Sequence, residues 1–467
     1  MSIATTLSFF GAAETVTGAK FLVTRGDERI LLDCGQFQGL KELRLRNWAE
    51  PPFAPNRVNA VLLSHAHIDH SGLLPLIVRR GFNGPIYCTR ATAALLPILL
   101  RDAAHLQEED AKYANKRGFS KHHPALPLFS LQDVEKTLPL VVPCDYHSEI
   151  KVTPTASVTF RRTGHILGAA SLDLLLAGTP DQRIVYSGDV GRWNRPMLRD
   201  PEFVPEADVL LVESTYGNRL HSSEDSNTGL ARIVNGAVER GGPLIIPAFA
   251  VGRAQELVWR LRELESEDRI PKLPVFLDSP MAQDVTAIFC KHPEEHDIDM
   301  TLLMDEHRCP LCSQSYKFTR TPEESKALNH RKGVFIIIAG SGMATGGRVV
   351  HHLARRVSDP HATVLLAGFQ AAGTRGRSLQ SGAEFVRMQG QNVPVRAHIE
   401  TLHGLSAHAD QAELLKWLSG FAKPPRKTFL VHGEPEAQQQ LLELVKQQLG
   451  WNVDIARDGA TIDLSAC

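Results

Sequence analysis

The sequence predicts an α/β protein built from two domains. Its 467 residues are too many for one ordinary hydrophobic core. Short strands separated by turn residues dominate residues 1–208, whereas strands and helices alternate from 209 to 393. Such alternation is typical of a parallel sheet flanked by helices. Residues 394–467 return to the first pattern, beginning with a predicted strand at 395–399. We therefore expect the middle segment to be an insertion in the first domain.

The composition describes a soluble globular protein, with 43% hydrophobic and 22% charged residues. No apolar run approaches the ~20 residues that span a bilayer, and no secretory signal is visible at the N-terminus. The seven cysteines are dispersed, which argues against a disulfide framework. We therefore expect a cytoplasmic protein without membrane association. The formal net charge of −1 identifies no partner.

The first strands are predicted at residues 6–10, 20–24 and 29–33, and they are typical of an antiparallel meander. The third of them ends in a carboxylate, Asp33, which precedes Cys34 and Gly35.

A cluster of metal-ligand side chains follows the next predicted strand, at residues 59–63. Four of the six residues from 65 to 70 are ligand types, and a predicted helix begins near Leu73. Imidazoles and a carboxylate are good ligands for zinc. A solvated turn is the alternative, but the density of ligand types favours a metal site. The candidates are His65, His67, Asp69 and His70.

Two further candidates lie far along the chain, each at a strand end beside glycine. His165 follows the predicted strand at 157–161, and Asp189 follows the one at 183–187. Either residue alone is more typical of an ordinary turn. Together with the loop they supply one zinc site of three histidines and a carboxylate. A second site would share Asp189 with Asp69, His70 and one more group.

These residues resemble, in order and setting, the ligand series of the metallo-β-lactamase superfamily. The resemblance implies a four-layered αβ/βα sandwich with two zinc ions at one edge of its sheets. It also implies that Asp33 orients the histidine loop instead of binding metal.

Two glycine-rich turns in the inserted segment each precede a predicted helix. Backbone N–H groups at such a turn can bind a phosphate, although glycine-rich turns are common and the signal is weak. Nine basic and only two acidic side chains lie between residues 330 and 399, which favours a polyanion-binding surface over a solvated helix face. The tentative phosphate-binding residues are Gly252, Arg253, Ser341, Gly342, Gly346, Gly347 and Arg348.

Three later motifs resemble those of the β-CASP nucleases, whose second domain is inserted in the metallo-β-lactamase fold. They contain Glu213 in Val-Glu-Ser-Thr-Tyr-Gly, His408 in Leu-Ser-Ala-His-Ala-Asp and His432 in Val-His-Gly-Glu. The resemblance implies a metallo-β-lactamase domain over 1–208 and 394–467 and an inserted parallel-sheet α/β (β-CASP) domain over 209–393. The chain is most similar to compact prokaryotic relatives of the cleavage and polyadenylation specificity factor endonuclease, and a histidine at 432 is shared with family members that act on RNA.

The resemblance implies a zinc-dependent ribonuclease of RNA processing or decay. It would hydrolyse single-stranded RNA to 5′-phosphate and 3′-hydroxyl products, mainly as an endonuclease, with 5′-exonuclease action as a second mode. Asp69, Glu213 and His408 would be catalytic. Two Zn²⁺ ions would be held by His65, His67, Asp69, His70, His165, Asp189 and His432.

Several alternatives stay open at this point. A hydrolase of a small ester or thioester would need the zinc ligands but not Glu213, His408 or the insertion. A DNA-directed β-CASP nuclease and a catalytically silent RNA-binding scaffold are the other candidates. The sequence does not decide between a monomer and a dimer, nor does it name the natural RNA. Cys309 and Cys312, with His307 nearby, form half of a zinc knuckle, and free thiols are the favoured reading of that pair.

Overall fold

The computed structural model describes residues 4–118, 123–222, 225–305, 311, 316–368 and 370–465. The strands of this part of the chain are β1 (Thr5–Phe9), β2 (Phe21–Arg25), β3 (Glu28–Leu32), β4 (Ala60–Leu62), β5 (Ile86–Thr89), β6 (Val141–Cys144), β7 (Ile150–Thr153), β8 (Ala156–Arg162), β9 (Ala170–Leu176), β10 (Gln182–Tyr186), β11 (Val209–Glu213), β12 (Leu244–Ala248), β13 (Val275–Asp278), β14 (Tyr316–Phe318), β15 (Ile336–Gly340), β16 (Thr363–Ala367), β17 (Phe385–Met388), β18 (Gln391–Pro394), β19 (His398–Leu402), β20 (Lys427–Val431), β21 (Val453–Ile455) and β22 (Thr461–Asp463).

The α-helices of the same residues are α1 (Lys41–Arg46), α2 (Ile68–Ser71), α3 (Leu74–Arg79), α4 (Arg90–Arg117), α5 (Leu131–Thr137), α6 (Ser226–Arg240), α7 (Arg253–Ser266), α8 (Pro280–Phe289), α9 (Ile298–Asp305), α10 (Pro322–Ala327), α11 (Gly347–Arg356), α12 (Arg375–Gln380), α13 (Gln411–Leu418) and α14 (Pro435–Leu444). The last helix continues into a wider π-type turn at Val445–Leu449. No helix within the described ranges has the length and apolarity needed to cross a bilayer.

The chain divides into two compact units. The first contains Met1–Asn194, Arg199–Leu220 and His408–Cys467, and the second contains Arg195–Leu198 and His221–Ala407. Apart from Arg195–Leu198, the second unit is one continuous segment, His221–Ala407, whereas the insertion was expected at 209–393.

The first unit contains two seven-stranded sheets. One has the order β22-β1-β2-β3-β4-β5-β6 and opens with the predicted antiparallel meander of β1, β2 and β3. The other has the order β21-β20-β11-β10-β9-β8-β7. In this sheet β11 pairs in parallel with both β10 and β20, whereas the neighbouring strands from β7 to β10 pair antiparallel.

The hydrophobic core of the first unit lies between these two sheets. The rings of Phe21 on β2 and Tyr186 on β10 lie 5.1 Å apart, and those of Phe9 and Phe429 lie 5.2 Å apart. On the outer side of the second sheet, buried Trp417 of α13 and Leu441 of α14 join a separate apolar cluster. Helix α4 contacts β5 and β6 of the first sheet. The predicted αβ/βα sandwich is thus confirmed.

The second unit is built on a six-stranded sheet of order β14-β13-β15-β12-β16-β19, and every pair in it is parallel. Alternating apolar strands and helices produce this sheet, and its four central strands, β12, β13, β15 and β16, are buried almost throughout. The predicted parallel sheet of an α/β domain is confirmed.

One predicted strand is displaced. We expected a strand at residues 395–399 that returns to the first domain, but β19 begins at His398 and pairs with β16 of the six-stranded sheet. The N–H of Val395 bonds to the carbonyl of Glu384, and the N–H groups of Arg396 and Ala397 bond to the carbonyl of Val357. These residues therefore end a hairpin and cap a helix, which the apolar pattern alone did not reveal.

Candidate metal centre

The loop from Ser64 to His67 leaves the carboxyl end of β4 and leads into the short helix α2. Its conformation is fixed by Asp33, which stands after β3 with a positive φ of 57°. The Asp33 carboxylate accepts hydrogen bonds of 2.7 Å from both the backbone N–H and the hydroxyl of Ser64. One of its oxygens also lies 2.7 Å from Nδ1 of His70. Asp33 therefore orients the loop and turns Nε2 of His70 away from itself.

One group of four ligand-type side chains meets beyond the carboxyl ends of strands β4, β8 and β10. His65, His67, His165 and Asp189 each offer one atom, and all these atoms lie within 4.8 Å of one another. Nε2 of His65 is 3.1 Å from Nδ1 of His67, and Nε2 of His165 is 3.4 Å from the same Nδ1. Oδ2 of Asp189 lies 3.6 Å from Nε2 of His65 and 3.4 Å from Nε2 of His165.

A second group lies on the other side of Asp189. Ligand atoms of Asp69, His70 and His432 also lie within 4.8 Å of one another. Nε2 of His70 is 3.2 Å from Nε2 of His432, and Oδ2 of Asp69 is 3.6 Å from that nitrogen of His432. Oδ1 of Asp189 faces this group, at 3.4 Å from Nε2 of His70. The two oxygens of one carboxylate therefore face two different ligand groups.

The donor set fits metal ions. Oδ1 of Asp189 is buried and, among the described residues, accepts no hydrogen bond. A buried carboxylate oxygen without a donor is costly unless a cation is bound to it. Imidazole nitrogens and carboxylate oxygens without thiolates suit zinc and similar divalent ions.

The protonation states of the three histidines in the first group agree with this assignment. Burial, together with the neighbouring imidazoles, holds the pKa of His65 and that of His165 well below 6.5. Burial likewise lowers the pKa of His67 to about 4. These rings are neutral at pH 7 and keep a lone pair for a metal ion. Burial alone would lower the pKa of His70, but Asp189 and Asp33 outweigh it and raise that pKa to about 10, so this position favours positive charge.

A glutamate and a histidine form a separate pair beside the ligands. Nδ1 of His408 lies 3.2 Å from Oε1 of Glu213, which is fully buried at the end of β11. The backbone N–H of Val190 donates to the same oxygen at 2.7 Å. Burial alone would lower the pKa of His408, but the charges of Glu213 and Asp189 raise it to about 9. The ring of His408 lies 4.5 Å from that of His165 and is tilted by 49° with respect to it.

Sequence reasoning missed residues that hold the ligands in place. The Ser64 hydroxyl lies 3.1 Å from Nδ1 of His65, and the Thr215 hydroxyl lies 3.0 Å from Nδ1 of His432. Both fix which nitrogen of the ring faces the metal group. Ser64 precedes a candidate ligand and Thr215 follows Glu213 by two residues, so their places beside motif residues were the available signal.

The glycine-rich turn after β15 lies in the second unit. Ser341 has a positive φ of 81°, and its hydroxyl accepts hydrogen bonds from the N–H groups of Thr345 and Gly346. Those two N–H groups are therefore already bonded within the turn. Gly342 lies against the ring of Phe249, where an added Cβ would come within 2.7 Å of ring carbon.

The two arginines predicted to bind phosphate contact carboxylates. Nη1 of Arg348 donates to buried Asp278 at 2.7 Å, and Nη1 of Arg253 donates to buried Glu256 at 3.1 Å. Gly252 precedes Arg253 with a φ of 80°, and Gly347 begins α11 with a φ of 68°. The phosphate-binding role of these turns stays a prediction. His307, Cys309 and Cys312 lie outside the described residues.

Comparisons with known families cover most of the chain. Residues 28–240 match the sequence model of the beta-lactamase superfamily domain, and residues 254–379 match that of the Beta-Casp domain. Residues 392–456 match the model described as a Zn-dependent metallo-hydrolase RNA specificity domain.

Individual relatives agree with these matches. The chain is 38% identical to ribonuclease TTHA0252 of Thermus thermophilus, over 96% of this chain and 98% of that protein. It is 32% identical to the transcription termination factor FttA of Methanosarcina mazei, over 94% of this chain and 68% of that protein. A crystal structure of a protein of unknown function from Enterococcus faecalis covers 99% of this chain with a TM-score of 0.56 at 16% identity, which shows a shared fold.

Proposed function

The chain belongs to the β-CASP family of the metallo-β-lactamase fold, and from that premise we propose that it is a metal-dependent ribonuclease. Its substrate would be single-stranded RNA, cleaved to 5′-phosphate and 3′-hydroxyl products. The main support for the proposal is the position of Asp189, whose two oxygens face two different ligand groups. The His408–Glu213 pair lies beside these groups. A relative of nearly the same length is a named ribonuclease, which supports RNA as the substrate class.

We propose that the two groups would hold two Zn²⁺ ions, with Asp189 available to both because its two oxygens face different groups. His65, His67 and His165 would complete one site, and Asp69, His70 and His432 the other. Zinc bound there would supply positive charge for the phosphate oxygens and lower the pKa of a water molecule toward ~7.

The protein's own residues would then manage the protons. Asp69 is the least buried of the carboxylates at the centre, and it would accept a proton from the attacking water. As the water oxygen bonds to phosphorus, the bond from phosphorus to the 3′-oxygen breaks. His408 would donate the proton that the leaving 3′-oxygen needs, from the nitrogen opposite the one that faces Glu213. Glu213 would hold that imidazole in orientation and favour its protonated form.

The insertion would contribute the surface along which the strand lies. Its segment from 330 to 399 carries nine basic and two acidic side chains, and the turn at Ser341–Gly347 opens α11. Phosphate contacts of this kind carry no base information, so weak sequence selectivity is expected.

The substrate class is tested by comparing three substrates with the zinc-loaded protein. Labelled single-stranded RNA, DNA of the same sequence and p-nitrophenyl acetate distinguish a ribonuclease from a DNA nuclease and from an esterase. We expect RNA to be cleaved at least tenfold faster than DNA, with no ester turnover above that of free zinc. Preferred cleavage of DNA, or of the ester alone, would refute the proposal.

The mode of cleavage needs a separate substrate pair. We propose mainly endonucleolytic cleavage, which does not depend on the 5′ end. RNA with a 5′-triphosphate and RNA with a 5′-monophosphate should therefore yield the same internal fragments at equal rates. Mononucleotide products from the monophosphorylated strand alone would instead identify a 5′-exonuclease.

A further inference from the structure

Lys20 is a buried lysine to which the proposed reaction assigns no role. It stands just before β2 and is only 5% exposed. Its ammonium donates hydrogen bonds to the carbonyls of Gly18, at 2.7 Å, and Gly35, at 2.8 Å. It also lies over the ring of buried Phe37, 4.3 Å from the ring centre. One side chain thus joins the segment before β2 to the segment after β3.

This arrangement is costly, because an ammonium group loses its hydration on burial. The cost is visible in the pKa of Lys20, which burial lowers to about 7. The two carbonyls and the aromatic face offset part of this loss. An apolar side chain would fill the same space without the cost of burying a charge. The hydrogen bonds of the Lys20 ammonium must therefore serve a purpose other than filling the core.

The two segments joined by Lys20 hold the backbone of the metal loop. The N–H of Ala19 donates to the carbonyl of Asp69 at 2.9 Å, and the N–H of Cys34 donates to the carbonyl of His70 at 2.7 Å. The segments also bond to each other, from the N–H of Gly35 to the carbonyl of Ala19 at 2.8 Å. Gly35 is so close to the loop that an added Cβ would lie 1.6 Å from the carbonyl oxygen of Asp69.

We propose that Lys20 is a positioning residue for the second metal site, which it serves by fixing the backbone that holds Asp69 and His70. The proposal rests on the two-zinc site described above. His65 is fixed differently, through Ser64 and Asp33, and His165 comes from the other sheet. Loss of the Lys20 contacts should therefore weaken the second site and spare the first.

Zinc titration of the metal-free protein against a competing chelator tests this asymmetry. Lys20→Met keeps the aliphatic chain and removes the ammonium. We expect one zinc to bind as in the wild type and the other about 10-fold to 100-fold more weakly, which is the usual effect of losing a group that supports a ligand. Lys41→Met, which alters an exposed lysine of α1, should leave both affinities unchanged.

A conservative variant separates positioning from general destabilisation. Lys20→Gln retains two N–H donors without the charge, so it should recover part of the second-site affinity, and it replaces the methionine variant if that one fails to fold. The Co²⁺-loaded protein gives a second measurement, since the absorption bands of one site should change while those of the other persist. Equal weakening of both sites, or no weakening of either, would overturn the proposal.

The same titration distinguishes failure of the Lys20 proposal from failure of the ribonuclease proposal. A wild-type protein that binds two zinc ions but cleaves no RNA would refute the proposed activity and leave the role of Lys20 intact. A wild-type protein that binds one zinc ion would remove the second site and the proposed role of Lys20 with it.

Discussion

His408 and Glu213 are 195 residues apart in the sequence, yet Nδ1 of the histidine lies 3.2 Å from Oε1 of the glutamate. The glutamate is itself fixed by backbone N–H groups of Val190 and Thr215. The imidazole is therefore oriented by a rigid, fully buried carboxylate beside the metal centre. This is the arrangement expected for a general acid.

His408→Ala should reduce kcat for RNA by about 10²-fold to 10⁴-fold, because the leaving 3′-oxygen loses its proton donor. The zinc content should stay at the wild-type level, since His408 is not assigned as a ligand. The decisive comparison uses bis(p-nitrophenyl) phosphate, whose leaving group needs no proton. Its hydrolysis should fall less than tenfold, and an equal loss on both substrates would contradict the assignment.

Chelation of the metal should lower the midpoint of thermal unfolding. Ions that bind only the folded state stabilise it by mass action, by about 4 kcal/mol at a thousandfold excess over Kd. Asp189→Ala removes the carboxylate that faces both ligand groups. We expect a chelator to shift the unfolding midpoint of the wild type by several degrees and that of the variant by much less. Equal shifts would show that the stabilising metal binds elsewhere.

Glu256 makes the stability of the second unit depend on pH. Burial alone would raise its pKa, but Arg195, Arg260 and Arg253 outweigh burial and lower it to about 2. A depressed carboxyl pKa stabilises the fold above the unfolded value of about 4.5, and this stabilisation is lost as the pH falls toward 2. Glu256→Gln should cost roughly 3–5 kcal/mol at pH 7, because three arginines lose a buried counter-charge.

The difference in free energy of unfolding between wild type and Glu256→Gln should narrow as the pH falls from about 4.5 toward 2. In this range the carboxyl of the unfolded wild type binds a proton, whereas that of the folded protein is still charged. Urea unfolding at a series of pH values measures this difference. Glu267→Gln, at the exposed end of α7, is the matched control and should change stability by less than about 0.5 kcal/mol. A gap that is independent of pH would refute the electrostatic explanation.

Much of this site could be predicted because its ligands stand at strand ends. The loop from His65 to His70 is local in sequence, and His165 and Asp189 each follow an apolar strand beside glycine. The parallel sheet followed from the alternation of strands and helices, and the αβ/βα sandwich followed from the family resemblance. The pairing of Glu213 with His408 has no local signal, so only the resemblance indicated it.

The sequence did not reveal which side chains accept hydrogen bonds from the arginines, or at which residue β19 begins. It shows that Arg348 and Arg253 are basic, but not that buried Asp278 and Glu256 accept their hydrogen bonds. Lysine side chains are usually exposed to solvent, so the burial of Lys20 was not foreseen. The displaced start of β19 has the same origin, because it depends on which carbonyls receive the N–H groups before it.

Gly342→Ala tests whether the glycine-rich turn takes part in RNA binding. The added Cβ would come within 2.7 Å of the Phe249 ring, so the ring or the turn must move. We expect KM for RNA to rise about 3-fold to 10-fold with the zinc content unchanged. Gly236→Ala, in the middle of α6, is the control, because its Cβ would meet only the flexible end of Arg240. An unchanged KM would exclude the turn from the RNA path.

The most direct test of the whole account is cleavage of 5′-labelled single-stranded RNA by zinc-loaded wild type and by purified Asp69→Ala. Asp69 joins the second ligand group and is the proposed proton acceptor for the attacking water. We expect fragments with 5′-phosphate and 3′-hydroxyl ends from the wild type, and a rate at least 10²-fold lower from the variant. Cleavage by Asp69→Ala at the wild-type rate would contradict the proposed role of this centre.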